Sequence, residues 1–345
     1  HGTALSRLIV SGFGYTRRLL EQLQHGLDWD ACGVLQLAVN AKEQAHQTAL
    51  TAAFPADLLH PLTHAEAEAR AGVALPSGGL FYPQGGWVHP PALCQQLIQH
   101  PRIRLLALHD VIDLQRHADG WQALVAGEVV ASAPVVVLAG AADIGRFPAA
   151  AGLPLKRIRG QITRLAQNAS SSELRTVVCA EGYVAPPRLG EHTLGASFDM
   201  HSQNSAPTAA EHASNLQLLE EISSDLAARL HSQELDPERL QGRAAFRCTS
   251  SDYLPIIGPL ADPLVFASAY AALGKNARKV PDALCPWLDG LYVNSGHGSR
   301  GLITTPLSGE LLAAWLDNEP LPLPRKVAEA CHPNRFAVRQ LSRGQ

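Results

Sequence analysis

Leu291-Tyr292-Val293-Asn294-Ser295-Gly296-His297-Gly298-Ser299-Arg300-Gly301-Leu302 reads as a strand, a glycine-rich turn and the opening of a helix. Gly296 to Gly301 matches G-x-G-x-x-G, and the strand-turn-helix setting meets the first requirement of a dinucleotide fingerprint. The second requirement fails. A Rossmann unit continues into another parallel strand that ends in an acidic residue about 20 positions on. Here the expected helix, about Leu302–Asp317, runs into Glu319-Pro320-Leu321-Pro322-Leu323-Pro324, whose prolines withhold the N–H groups a central strand needs. Gly12-Phe13-Gly14 lacks the third glycine and fails earlier. Neither segment is a pyrophosphate cradle. The C-terminal turn can still bring bare backbone N–H groups close to a flat ligand, and the helix start adds the positive end of its dipole. A tight strand-to-helix turn with no ligand fits the same residues.

Outward from this turn, Pro134-Val135-Val136-Val137-Leu138-Ala139-Gly140 is an unbroken apolar run, the pattern of a parallel strand buried on both faces. Helices are expected over residues 4–24, 42–53, 63–71 and about Ala209–Leu230. Another is expected after Pro90-Pro91, where proline suits the first turn. Further strands are expected at 33–39, Ile103–Leu108, Trp121–Val125, Ile158–Leu165, Val177–Ala185 and Thr193–Phe198. Parallel-type strands at both ends around an antiparallel middle predict an α/β domain with an inserted α+β domain.

The 345 residues suit about two domains. Hydrophobic content of 46% with 17% charged residues excludes a disordered chain, and no apolar run reaches the roughly 20 residues of a membrane helix. A net charge of −3 leaves no general polyanion footprint. The tail is the exception: Arg325, Lys326, Arg335, Arg339 and Arg343 face Glu329 alone, either as a solvated tail or as a phosphate contact. Six scattered cysteines lack metal or redox spacing and read as buried thiols of a reducing, cytoplasmic setting. His60 and His64 are four apart, but Pro61 argues against one helix presenting both, so no metal site is expected.

Several segments, in order, resemble the D-amino-acid-oxidase-type FAD-dependent flavoproteins, and within them the oxidoreductase half of bifunctional enzymes that modify the tRNA wobble uridine. They are Cys32-Gly33-Val34-Leu35-Gln36-Leu37, Tyr82-Pro83-Gln84-Gly85-Gly86-Trp87, Val135 to Ala139, Gly182-Tyr183-Val184-Ala185-Pro186 and Leu194-Gly195-Ala196-Ser197. Arg247 to Gly258, Gly298 to Leu302 and Pro333-Asn334-Arg335 complete the set. The resemblance implies FAD as cofactor, tRNA as substrate and a methyltransferase domain upstream. It also implies a reaction in which a carboxymethylaminomethyl group loses hydride to flavin N5, the imine hydrolyses, and aminomethyluridine remains. A discontinuous FAD-binding domain over 1–30, 78–152 and 243–345 then flanks a mainly antiparallel substrate domain over 31–77 and 153–242.

Site residues follow from the same resemblance. Arg247 matches the arginine that grips the substrate carboxylate. On an extended segment it shares a face with Arg243, Ala245 and Thr249 and could fork onto that group, or pair with Asp252 instead. Tyr183 matches a substrate-lining tyrosine, although a core aromatic reads as well. Gly85, Gly86 and Trp87 match a segment near the flavin ring, and Trp87 would also serve as a domain-interface anchor. Gly296, Gly298, Ser299, Arg300, Gly301 and Leu302 form the expected cofactor turn, where backbone donors stabilise negative charge on a reduced flavin's pyrimidine edge. Arg300 faces flavin or substrate, or only solvent. Hydride transfer from a neutral amine demands alignment more than a base. No catalytic residue is assigned, and His297 is merely the nearest one.

One departure remains. The family's N-terminal strand–Gly-x-Gly-x-x-Gly–helix and its ribose-binding acid are not found, and the chain starts at His1 rather than Met. The expectation is a truncated chain, missing its first βαβ unit, that binds FAD weakly and folds poorly. A free glycine or sarcosine oxidase, and a non-catalytic fragment, are the competing readings.

Overall fold

The computed structural model describes residues 2–278 and 281–343. In chain order the first half holds α1 (Ala4–Leu20), β1 (Trp29–Asp30), β2 (Val34–Leu37), α2 (Ala41–Ala53), β3 (His60–Leu62), α3 (His64–Ala71), β4 (Gly79–Tyr82), β5 (Trp87–Val88) and α4 (Pro90–Ile98). Next come β6 (Asp113–His117), β7 (Gly120–Val125), β8 (Glu128–Ala133), β9 (Val136–Leu138), β10 (Leu155–Ala166), β11 (Val177–Cys179), β12 (Tyr183–Val184) and β13 (Glu191–Gly195). The remainder comprises α5 (Ala209–Ile222), α6 (Ser224–Arg229), β14 (Gln241–Ser250), β15 (Ile256–Ala261), α7 (Pro263–Ala269), β16 (Trp287–Ser295), α8 (Gly301–Leu316), α9 (Arg325–Cys331) and α10 (Asn334–Ser342). The mixed α/β plus α+β class read from the sequence is the one observed.

Two compact units emerge. Unit 1 contains Leu20–Gln99 and Ile158–Phe246; unit 2 contains Gly2–Leu19, His100–Arg157 and the chain from Arg247 on. Residues 20–30 and 78–99 therefore belong with the sheet-rich unit 1, not with the expected FAD domain. The cause is pairing: β4 lies between β2 and β3, and β5 pairs with β1.

Unit 1 is built on an eight-stranded sheet, ordered β14-β10-β13-β12-β11-β2-β4-β3, with β11 and β2 parallel. Strand alternation gives it two distinct faces. Leu35, Leu37, Phe81, Val178, Val184 and Leu194 point into a core completed by Leu219, Ile222 and Leu226 of α5 and α6. Their neighbours Val34, Gln36, Tyr82, Cys179, Tyr183 and Gly195 align on the other face. The expected strand over Val177–Ala185 is really this β11–β12 hairpin. The expected helix over Ala209–Leu230 breaks at Ser223, whose extended backbone and side chain cap α6.

Unit 2 layers a β15-β16-β9 sheet between two cores. Ile257 packs on one side with Leu8 of α1, Leu307 and Leu311 of α8, and Val327 and Cys331 of α9. On the other side Ile256, Leu291 and Val293 meet Trp121, Ile144 and Phe336. β9 runs parallel to β16, as its apolar run predicted, but it is not buried on both faces: Val137 is 39% exposed. The strand expected at Ile103–Leu108 does not form. A strand needs a partner ladder, and none is offered to these residues among the described ones; Ile103, Leu105 and Leu108 are exposed. The basic tail is likewise no loose extension but α9 and α10, buried through Val327, Cys331 and Phe336.

Candidate functional site

In unit 2, β16 ends at Ser295 and the glycine turn follows at once. Gly296 and Gly298 have φ of +75° and +59°, values that side-chain-bearing residues resist. Thr249, at the end of β14, forms an antiparallel bridge with His297. A Cβ on Gly298 would sit 3.3 Å from Thr249 Oγ1. Arg247 lies two residues before Thr249, hence on the same strand face, and is half-buried. Arg247 and the glycine turn, far apart in sequence, are thus brought to neighbouring places in the fold by one bridge.

Asp252 pairs with arginines of the tail. Its carboxylate takes Arg335 Nη2 at 2.8 Å, Arg335 Nε at 3.0 Å and Arg339 Nη1 at 2.6 Å, and also accepts from the Ser250 hydroxyl and the Leu254 amide. Burial pushes this carboxyl up, but the hydrogen bonds from Arg335 and Arg339 outweigh it and hold it well below the usual carboxylate range. Two of the five tail cations are spent on this turn, and Arg325 pairs with Glu329. Lys326 and Arg343 remain exposed.

At the start of α8 no side chain caps the helix and the first turn carries no acid. Ser299 is exposed, Arg300 half-buried, and Leu302 is 40% exposed. The helix-end amides are therefore arranged for an anionic or electron-rich ligand edge. His297 Nδ1 sits 2.8 Å from Thr304 Oγ1 and Nε2 sits 2.8 Å from Asn294 Oδ1. Burial pushes the imidazole down to about 4, so it is neutral near pH 7 with both nitrogens engaged. It pins the turn rather than serving as a free base.

The other expected residues lie in unit 1. Tyr183 sits on the sheet face away from the core, since it pairs with Cys179 and Gly195 while Val184 points inward. The Tyr183 side chain is therefore not part of the core of Leu35, Val178 and Leu194. Gly85 packs on the same face, where a Cβ would come within 2.9 Å of Val34. A Cβ on Gly86 would collide with the Asp30 carbonyl, because β5 crosses β1 there with Trp87 opposite Asp30. These glycines thus answer first to close strand passage. The Trp87 indole Nε1 is buried with no hydrogen-bond partner, a donor left for water or a bound group. Gln36 and Tyr82 share Tyr183's face and were missed, although the alternation in Val34-Leu35-Gln36-Leu37 signals Gln36. Cys179 joins them, its thiol pushed up to about 12 by burial and so held protonated.

Comparison with known proteins agrees with this layout. Residues 1–315 match the family model described as FAD dependent oxidoreductase. Glycine oxidase from Geobacillus kaustophilus superposes with a TM-score of 0.73 at 19% identity, covering 97% of this chain and 84% of that one. L-proline dehydrogenase from P.horikoshii gives 0.71 at 15% identity, covering 96% and 83%; both likenesses concern the fold. The chain belongs to the FAD-dependent oxidoreductase family. It is 71% identical, over its whole length, to the tRNA 5-methylaminomethyl-2-thiouridine biosynthesis bifunctional protein MnmC of Pseudomonas fluorescens (strain Pf-5) and 72% identical to that of Pseudomonas putida (strain GB-1). The chain spans about half the length of these curated relatives, 52% and 53%.

The residues present fit the family's cofactor. A flavin edge that gains negative charge suits a helix start with no competing cap or acid, approached through glycines. Gly298, Ser299, Gly301 and Leu302 would supply the backbone donors.

Proposed function

We propose that this chain removes a hydride from the carboxymethylaminomethyl group of (2-thio)uridine at the tRNA wobble position, giving an imine that water hydrolyses to glyoxylate and aminomethyluridine. The observation that carries the reading is the Thr249–His297 bridge, which sets Arg247 beside the glycine turn on one strand face. FAD, when bound, supplies the two-electron hydride acceptor. Arg247 grips the carboxylate of the substrate through paired N–H donors and aligns the adjacent C–H. The neutral His297 keeps the turn rigid through Asn294 and Thr304 without drawing a proton from the amine. Tyr183 is the expected substrate-lining residue, and Gly85, Gly86 and Trp87 are expected cofactor residues, all within unit 1. Arg300 adds positive charge beside the turn. A methyltransferase half, upstream in the intact protein, would take up the amine product, and a tRNA substrate places the reaction in the cytoplasm.

The purified protein, supplied with FAD, is incubated with tRNA that carries the carboxymethylaminomethyl group, and digested nucleosides are separated by mass. Conversion to aminomethyluridine is the expected result. Turnover of free glycine or sarcosine with untouched tRNA would replace this reading by an amino-acid oxidase, which uses the same Arg247. Neither conversion, with FAD bound, would leave a non-catalytic chain.

A further inference from the structure

α8 contains a proline at Pro306, six residues into its 16. Proline has no N–H, so the carbonyl four residues earlier, that of Leu302, loses its helical donor. Leu302 lies in the turn to which the cofactor reading assigns the flavin edge, and an unpaired carbonyl dipole there would oppose the helix-end amides. The carbonyl is not left unpaired. The Thr16 hydroxyl of α1 donates to it at 2.9 Å, and Thr16 is only 6% exposed. One turn earlier on the same helix face stands Gly12, where a Cβ would collide with the Ile303 carbonyl. Gly12 lets α1 approach; Thr16 makes the bond that the approach permits. Gly12, read from the sequence only as a false fingerprint, has this use instead.

We propose that Thr16 is a positioning residue for the flavin-facing turn: through the Leu302 carbonyl it replaces the hydrogen bond removed by Pro306 and fixes the aim of the first amides of α8. Thr16 touches no reacting atom in this scheme. The inference rests on FAD lying at the start of α8, not on which amine is oxidised.

The test measures FAD affinity by fluorescence titration, together with the absorption envelope of the bound flavin, in the purified protein without substrate. Thr16→Val, which keeps shape and loses the hydroxyl, weakens FAD binding about tenfold and shifts the envelope. Thr16→Ser stays within about threefold of wild type. Pro306→Ala restores an N–H to the helix, so Thr16→Val added to Pro306→Ala costs less than about threefold. Should Thr16→Val fail to fold alone, the comparison inside the Pro306→Ala background decides. Unchanged affinity and envelope in Thr16→Val, even with a lowered melting temperature, overturns the proposal, as does a Thr16→Val penalty undiminished by Pro306→Ala. A wild type that binds FAD but ignores tRNA sinks the substrate reading alone.

Discussion

Replacing Asp252 by Asn should loosen unit 2. Asp252 sits in the turn between β14 and β15, five residues after Arg247, and its carboxylate faces an Arg335 side chain that is 7% exposed. Removing one partner of a buried ion pair costs about 3–5 kcal/mol, because the other charge stays buried without compensation. Arg335 keeps acceptors at the Leu254, Cys331 and His332 carbonyls, and Asn still accepts one hydrogen bond, so the lower bound of about 3 kcal/mol applies. For a unit of this size that lowers the melting temperature by roughly 6–12 °C. Thermal unfolding followed by tryptophan fluorescence reads it, since Trp121, Trp287 and Trp315 all lie in unit 2. Adding Arg335→Met should recover part of the loss, as the uncompensated charge then disappears. A melting temperature within about 2 °C of wild type, or a double variant worse than the sum of the two, would refute the buried-pair reasoning.

Arg247→Lys keeps the charge but loses the fork, and kcat/KM for the carboxylated substrate should fall about 30- to 150-fold, mostly in KM, in steady-state assays. An analogue lacking the carboxylate should be turned over equally by both proteins. A further expectation concerns acid. Burial holds His297 and His332 near 4, against about 6.5 in the unfolded chain. Below pH 6.5 the unfolded state takes up protons that the folded state refuses. Their contribution is therefore whole above about 6.5 and is lost as pH falls toward about 4, at about 2 kcal/mol per histidine by pH 5. Urea midpoints at pH 7.5 and 5.0 check this, and His297→Asn should roughly halve the difference, His332 supplying the rest.

Much of the arrangement was legible because it rests on local chemistry. The strand Leu291–Asn294, its glycine turn and the helix after it declare themselves through apolar alternation and residues that only glycine suits. Arg247 and Thr249 could be placed on one face by counting in twos. What escaped was set by partners distant in sequence. Ile103–Leu108 has a strand's composition but no ladder to join, so its apolar residues lie in the open. The tail's arginines look like solvated charge until Asp252, 83 residues before Arg335, claims them. Thr16 and Pro306 are 290 residues apart by their numbering, and no local pattern links a hydroxyl to a carbonyl that a proline has released.

The two-faced sheet of unit 1 constrains how this protein can change over time. Because Val184 serves the core and Tyr183 the opposite side, a one-residue insertion inside β11, β12 or β13 would exchange the two roles along the whole strand. Hydrophobic filling and the opposite face would both be lost in a single event, with no intermediate that keeps either. Length variation can therefore accumulate only at the hairpin ends, such as the Leu189-Gly190 turn, where Leu189 is 73% exposed and both residues already have positive φ.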